Sequence, residues 1–364
     1  MRILVFGNAE GFGGAQTAFR RFVDFCVADE HRVGVIALAG KDDELPAAGS
    51  IEFGLKLRKG CYTRFGKLWD ILNAALVAHS FMPEVFVAVG LARSSGLIAR
   101  LLPRTTFRVA QDFIFGRNTN DYLLRITDRS FDALAVQAPS MVLALKSNGY
   151  KELPVNWLPC FPELPQSGYQ KNTNQFSEVI RLAYFGRLAP NKGLDLLLKA
   201  MARVNLKVPM ILDIWGGGPE LENLRSLSEV LKLAQFVNFL GPYPDGEAGS
   251  KLICNYDGLV LPSTGSEGLP LILLEAMAYG IPFLTTKVGA IPDCCEGNLD
   301  CELVGPSIPE LLLGLERFVE RTNAGLFAAA RLQEYYQRNF SFDNMANRWR
   351  KMLLDPHTFF NSYA

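Results

Sequence analysis

The chain has 364 residues, 49% hydrophobic and 20% charged, with 37 basic and 37 acidic side chains and a net charge of zero. That length supports two domains with separate cores, and the balanced charge leaves no footprint for a nucleic-acid partner. The seven cysteines fall at irregular spacing, which fits neither a disulfide framework nor the paired pattern of a zinc site.

The first apolar run, residues 2–7, reads as a strand and is too short for a signal peptide. It breaks into Gly7-Asn8-Ala9-Glu10-Gly11-Phe12-Gly13-Gly14, ahead of a helical pattern over 15–28. Glycines here let backbone approach a ligand, and the N-terminus of the following helix favours anions. A tight strand-to-helix turn is the plainer reading. The spacing does not fit G-x-G-x-x-G from Gly7, which disfavours a nicotinamide cofactor. Strands are expected over 31–38, 85–90, 106–111 and 132–137, and a helix over 66–80. From Phe53 to Trp69 the chain holds Lys56, Arg58, Lys59, Arg64 and Lys67 among Leu55, Leu57, Tyr62, Phe65 and Leu68, with no acidic residue. This stretch is either a basic loop beside an ordinary helix or a surface for an anionic membrane.

The polar segment 163–178 lacks apolar periodicity and marks a boundary. It divides the chain into domains over 1–165 and 178–340, with a helix over 341–364 expected to pack back on the first. The second half repeats the alternation, with strands over 181–186, 210–215, 236–240, 257–262 and 281–285 and helices over 193–205, 218–234 and 270–280. Such alternation predicts an α/β protein of two doubly wound, Rossmann-like domains with a ligand cleft at the strand ends. No run of about twenty apolar residues is free of charges or turn breakers, so a cytoplasmic protein is expected.

Three segments of the second half carry chemistry. In Gly186-Arg187-Leu188-Ala189-Pro190-Asn191-Lys192-Gly193, a strand delivers two cations to its end, suited to a diphosphate that gains charge as it leaves. Asp213-Ile214-Trp215-Gly216-Gly217-Gly218-Pro219-Glu220 has glycines that make room for a ligand or for packing alone. The third runs from Ser263 through Glu267, Gly268, Leu269, Pro270 and Leu271 to Glu275 and Pro282. Pro270 suits the first turn of a helix whose free amides around Leu269 to Leu271 would meet a phosphate or hydroxyl. Glu275 sits among Leu273, Leu274, Ala276, Met277 and Ala278, so a buried carboxylate is expected, met either by ligand hydroxyls or by backbone amides.

Together these residues resemble the GT-B glycosyltransferases, specifically glycosyltransferase family 4 (group 1). The likeness is carried by 186–193, by Trp215 to Glu220, by the Glu267 and Glu275 pair, and by Val288-Gly289-Ala290-Ile291-Pro292. It implies a retaining transferase that uses a nucleotide-diphosphate sugar, with no other cofactor. By the family pattern Glu275 holds the ribose, Arg187 and Lys192 hold the diphosphate, and Glu267 meets the donor sugar. Gly13, Gly14, Gly186, Gly268 and the 269–271 backbone complete the donor site. Many relatives carry a His-Asp-like pair at the end of a first-domain strand; here Gln111-Asp112 stands there, as a sugar or acceptor contact or a strand-end turn.

No Asp-x-Asp clamp occurs in the sequence, so metal independence is expected, with the acceptor a glycan or lipid-linked molecule and the protein at most peripheral to the inner face of a membrane. A sugar-nucleotide epimerase or hydrolase, or a nucleotide-sugar-binding protein without transfer, is the alternative.

Overall fold

The computed structural model describes residues 1–10, 13–40, 43–57, 64–116, 121, 126–162, 179–244 and 246–362, the side chains of 64–67, 247 and 250 excepted. Arg58, Lys59 and Tyr62 of the basic stretch, and the boundary segment 163–178, lie outside the described residues. The chain forms two compact units, Met1–Phe161 with Met345–Ala364, and Pro162–Asn344.

The first unit contains strands β1 (Arg2–Asn8), β2 (Arg32–Leu38), β3 (Phe53–Leu57), β4 (Val85–Val89), β5 (Phe107–Asp112), β6 (Ala133–Val136) and β7 (Val155–Trp157). They make one parallel sheet in the order β3-β2-β1-β4-β5-β6-β7. Helices α1 (Gly14–Ala28), α2 (Arg64–Phe81), α3 (Arg93–Leu101) and α4 (Pro139–Ser147) intervene. Strands covered on both faces are apolar throughout rather than alternating. Thus Ile3, Leu4 and Val5 are wholly buried, and every residue of β4 is buried.

The second unit contains β8 (Ile180–Phe185), α5 (Leu194–Met201), β9 (Met210–Trp215), α6 (Leu221–Val230), β10 (Val237–Gly241), α7 (Gly246–Ile253), β11 (Gly258–Leu261), α8 (Leu271–Ala278), β12 (Phe283–Thr286), β13 (Cys301–Val304), α9 (Ile308–Asn323) and α10 (Ala329–Asn339). Its sheet is also parallel, in the order β10-β9-β8-β11-β12-β13. The two sheets share one pattern. The chain builds outward from a central strand, then returns to that strand's other side. The order reverses between β1 and β4 in one unit and between β8 and β11 in the other, and ligands of such sheets bind at the strand ends beside that switch. Three strands escape the sequence pattern: β3 includes a glycine and an exposed lysine, β7 has three residues, and β13 carries a glutamate.

Two final helices, α11 (Phe342–Leu354) and α12 (Pro356–Asn361), complete the first unit from Met345 onward. Trp349 is 1% exposed, its ring centroid lies 4.3 Å from that of Phe22, and its Nε1–H donates to the Pro159 carbonyl at 2.8 Å. Asn156 Nδ2 donates to the Phe359 carbonyl at 2.7 Å, and the Arg348 guanidinium lies 3.7 Å from the Trp157 ring centroid. Removing a buried tryptophan from such a contact costs about 3–5 kcal/mol. Trp349→Ala is therefore expected to lower the denaturation midpoint of the first unit by a comparable loss; a cost under about 1 kcal/mol contradicts this docking.

Candidate functional site

In the second unit, the switch point lies between the loop after β8 and the loop after β11. Both loops are shaped by backbone contacts that side chains would obstruct. Gly216 has φ +133°, and a Cβ there would stand 1.8 Å from the Gly186 carbonyl oxygen. A Cβ on Gly218 would stand 2.2 Å from the Leu188 carbonyl oxygen, whereas one on Gly217 meets nothing within 4 Å. Two of these three glycines therefore serve packing: they let the 186–188 backbone lie against them, with Leu188 N–H donating to the Gly217 carbonyl at 2.9 Å. That close-packed loop carries Arg187. Its carbonyl accepts from the Tyr184 hydroxyl at 2.8 Å. Its guanidinium is exposed and makes no hydrogen bond or ion pair among the described residues.

Lys192 follows in a 3₁₀ turn, and Gly193 ends that turn at φ +66° as the residue before α5. A Cβ on Gly193 would stand 2.1 Å from the Pro262 carbonyl oxygen, so the two loops touch through glycine. The Thr264 and Gly265 amides both donate to the Asn191 carbonyl, at 2.9 and 3.1 Å. Across this junction Lys192 Nζ pairs with Glu267 Oε1, and Ser263 Oγ donates to the same oxygen at 2.6 Å. Glu267 retains 11% side-chain exposure and Lys192 21%. The family pattern assigns these two residues separate partners on one ligand; in the structure they are paired with each other. Burial, followed by the charge of Glu267, pushes the Tyr184 phenol well above its ordinary value, so it stays a hydrogen-bond donor.

Glu275 departs from expectation. It is half-buried, although Leu273, Leu274, Ala276 and Met277 beside it are all 0% exposed. Helical spacing explains this: Leu271, Ile272 and Glu275 form one stripe, and those are the half-buried positions of α8. Pro270 lies outside the first helical turn, as the N-cap with φ −71° and ψ 116°. Its carbonyl accepts from Leu273, leaving the Leu271 and Ile272 amides without an intrahelical acceptor. Gly268 is half-buried, while the Leu269 side chain is 4% exposed and belongs to the core.

In the first unit, Gly13 is the N-cap of α1 and its carbonyl accepts from Thr17 at 3.0 Å. A Cβ on Gly14 would meet nothing within 4 Å. Gln111 is a correction: it is 1% exposed, and its Nε2 donates to the Leu158 carbonyl at 3.0 Å. It joins β5 to the segment after β7 inside the core. Asp112 is 5% exposed and accepts from the Ile114 amide at 3.0 Å, a turn that ends β5.

Sequence reasoning passed over a buried polar cluster beneath the strand ends. Asp213 is 1% exposed and accepts from Arg181 at 2.8 Å, Asn238 at 2.7 Å and the Tyr256 hydroxyl at 3.0 Å. Tyr256 in turn accepts from Trp215 Nε1 at 2.7 Å, and burial foremost pushes its phenol up to about 12. The only signal was an acidic residue inside an apolar strand. Ser263 was passed over as well, because a serine in a glycine-rich turn is unremarkable composition. Among the described residues, no group of three or more His, Cys, Asp or Glu could hold a metal ion.

Residues 180–318 match the model of the family described as glycosyl transferases group 1. The chain is similar to a GDP-mannose-dependent alpha-(1-6)-phosphatidylinositol monomannoside mannosyltransferase of Mycobacterium tuberculosis, 32% identical over 157 residues that cover 38% of this chain and 40% of that protein. It is similar to a human phosphatidylinositol N-acetylglucosaminyltransferase component, 27% identical over 48% of this chain and 36% of the relative. The chain thus spans less than half the length of either relative. Over 97% of its length it superposes on sucrose-phosphate synthase from Thermosynechococcus elongatus, with TM-score 0.78, 17% identity and 98% of that chain covered. Anabaena HepE in complex with UDP gives TM-score 0.77 at 17% identity, with 97% and 99% of the two chains covered. At such identity the likeness is one of fold.

The glycine contacts are testable. Gly289 has φ +57°, and a Cβ there would stand 2.1 Å from the Glu267 carbonyl oxygen; Gly297 has φ +72° and nothing within 4 Å. Gly297→Ala should cost about 1–2 kcal/mol of stability from the left-handed backbone alone, and Gly289→Ala more. Equal losses in urea denaturation contradict the packing of Gly289 on the Glu267 backbone.

Proposed function

We propose, for a chain whose second unit matches the group 1 glycosyltransferases and whose fold is the GT-B fold, that it moves a sugar from a nucleotide-diphosphate donor to a glycan or lipid-linked acceptor, with retention and without a metal. The observation that carries this reading is the junction of Lys192 with Glu267 beside the Arg187 loop, at the switch point of a parallel sheet. Lys192 is positioned to exchange its carboxylate partner for a diphosphate. Arg187 is exposed and uncommitted.

In transfer, the bond from the sugar's anomeric carbon to the diphosphate oxygen breaks with its electron pair going to the diphosphate. The acceptor oxygen forms the new bond, and its proton leaves with the diphosphate. Charge therefore grows where Arg187 and Lys192 would stand, and two fixed cations stabilise it more as the bond breaks. These cations supply the positive charge that a metal provides in other transferases, which is the basis for expecting activity in the presence of a chelator. Glu275, on the half-buried stripe of α8, would take the ribose hydroxyls, while the Leu271 and Ile272 amides meet the phosphate. Glu267 would meet the donor sugar. Both relatives named above are transferases of phosphatidylinositol-based molecules by name, which supports a lipid-linked acceptor.

Incubation of the chain with nucleotide sugars, acceptor glycans and EDTA is expected to yield product whose anomeric configuration, read by proton NMR, matches the donor. Glu267→Gln should abolish most of that transfer while leaving the fold intact. Charge-assisted contacts contribute about 1.5–3 kcal/mol each, so Arg187→Ala and Lys192→Ala should each weaken nucleoside diphosphate binding about tenfold or more. Unchanged affinity in both variants contradicts the diphosphate placement. Turnover of donor without an acceptor favours the epimerase or hydrolase reading.

Peripheral contact with an anionic membrane has its own support. On α2 one face is buried through Ile71, Ala74, Ala75 and Ala78, yet the other also presents apolar groups: Trp69 is 73% exposed and Leu76 70%, with Leu68 and Leu72 in the same i, i+4 row as Leu76. The chain from Lys56 to Lys67 supplies five basic residues and no acidic one. Anionic phosphatidylglycerol vesicles are expected to retain the protein at low salt and release it as salt rises. Trp69→Ser should weaken that retention, and retention equal to neutral vesicles contradicts it. Among the described residues, no helix is long and apolar enough to cross a membrane.

A further inference from the structure

We infer that Ser263 is a positioning residue for Glu267: its buried hydroxyl holds one oxygen of the carboxylate so that the other faces the donor sugar, and it keeps that hold when Lys192 turns to the diphosphate. The inference rests on the transfer reading above and adds Ser263 and Thr286, which that reading does not use.

The geometry is asymmetric. Both donors to Glu267, Lys192 Nζ and Ser263 Oγ, meet Oε1, and Oε2 receives no hydrogen bond from a described residue. A carboxylate fixed through one oxygen has a defined rotation and presents the other oxygen in a single direction. The two donors differ in kind. Lys192 is a long cation with 21% of its side chain exposed. An incoming diphosphate competes for it, since two negative charges lie within reach of one ammonium. Ser263 is 0% exposed and uncharged, so no anion draws it away.

Ser263 is itself anchored. Thr286, also 0% exposed, donates through Oγ1 to the Ser263 carbonyl at 2.5 Å, and Thr285 donates to the Leu261 carbonyl at 3.0 Å. The end of β12 thus clamps the end of β11 by two hydroxyls, outside the ladder pairing of the two strands. On the far side, the Ala290 amide donates to the Glu267 carbonyl at 3.0 Å. The Glu267 backbone and one carboxylate oxygen are therefore held from separate directions by groups that no ligand replaces. A loop residue built this way loses little freedom when the sugar arrives, which is the condition for effective orientation.

The test is a double-mutant cycle on the full chain with Ser263→Ala, Glu267→Gln and the pair, supported by Thr286→Val, which keeps the side-chain shape and removes the hydroxyl. Ser263→Ala should lower kcat about tenfold to a hundredfold, the scale of one lost charge-assisted hydrogen bond, with donor KM and nucleoside diphosphate affinity within about twofold. Thr286→Val should lower kcat less and in the same pattern. In the Glu267→Gln background, Ser263→Ala should change little, because its effect passes through the carboxylate. Additive losses, or a loss in KM alone, overturn the inference, and unfolding midpoints separate both from a misfolded variant. If the wild type transfers no sugar, the transfer reading fails, and crystal structures of wild type and Ser263→Ala then decide the positioning role. A Glu267 carboxylate that keeps its place in the variant overturns it; one that swings from Oε1 contact supports it.

Discussion

The site depends on a carboxylate that would be unfavourable where it stands without the donors around it. Glu267 is largely removed from water, and an ionised group in that position requires charge and hydrogen bonds in return. Its donors come from two loops, Lys192 after β8 and Ser263 after β11. Those loops meet only because β8 and β11 are adjacent and parallel, with Leu182 beside Gly258 and Ala183 beside Leu259. Topology therefore precedes chemistry. The reversal of strand order places two loop ends side by side; Gly193 lets their backbones close to contact at Pro262, and Gly289, after β12, packs on the Glu267 backbone from a third loop.

The cluster around Asp213 supports the same strand ends from beneath. A buried carboxylate with three donors is tolerated because each oxygen is satisfied; Oδ2 has two donors, while Oδ1 depends on Asn238, whose loss would leave that oxygen desolvated and unpaired. The cluster joins β8, β9 and β10 through Arg181, Asp213 and Asn238, and reaches Trp215 through Tyr256. Trp215 ends β9 immediately before Gly216, whose missing side chain accommodates the Gly186 carbonyl. The loop that carries Arg187 thus packs against a strand end held by this network, which is exposed at Arg181 and contains no residue of the proposed reaction.

Much of this is legible in the sequence alone. Apolar runs alternating with helical spacing are what a parallel sheet covered on both sides requires, and they identified two Rossmann-like halves. Arg187 and Lys192 stand out as two cations between an apolar strand and a helix, and Glu267 through the resemblance to the glycosyltransferase motif. The contact between Lys192 and Glu267 was not legible, since 75 positions separate them and nothing local records which strands are neighbours. The sequence neighbours of Glu275 suggest burial, but a helix sorts residues by angle, and its stripe is the half-buried one. Gln111 was the reverse case: a polar residue at a strand end looked like a ligand contact, while its amide satisfies a backbone carbonyl inside the core. β3, β7 and β13 escape the pattern because β7 has only three residues, and Gly54 and Lys56 in β3 and Glu302 in β13 break the apolar run.

The proposed function requires the second unit to hold a nucleoside diphosphate between the cations after β8 and the carboxylate of α8. The most direct measurement is a metal-free thermal-shift panel of UDP, GDP, ADP, dTDP and their common sugars, on the wild type and on Glu275→Ala. One diphosphate family is expected to raise the unfolding temperature of the wild type, and Glu275→Ala to lose the shift. No shift with any nucleotide, or an equal shift in the variant, contradicts that placement.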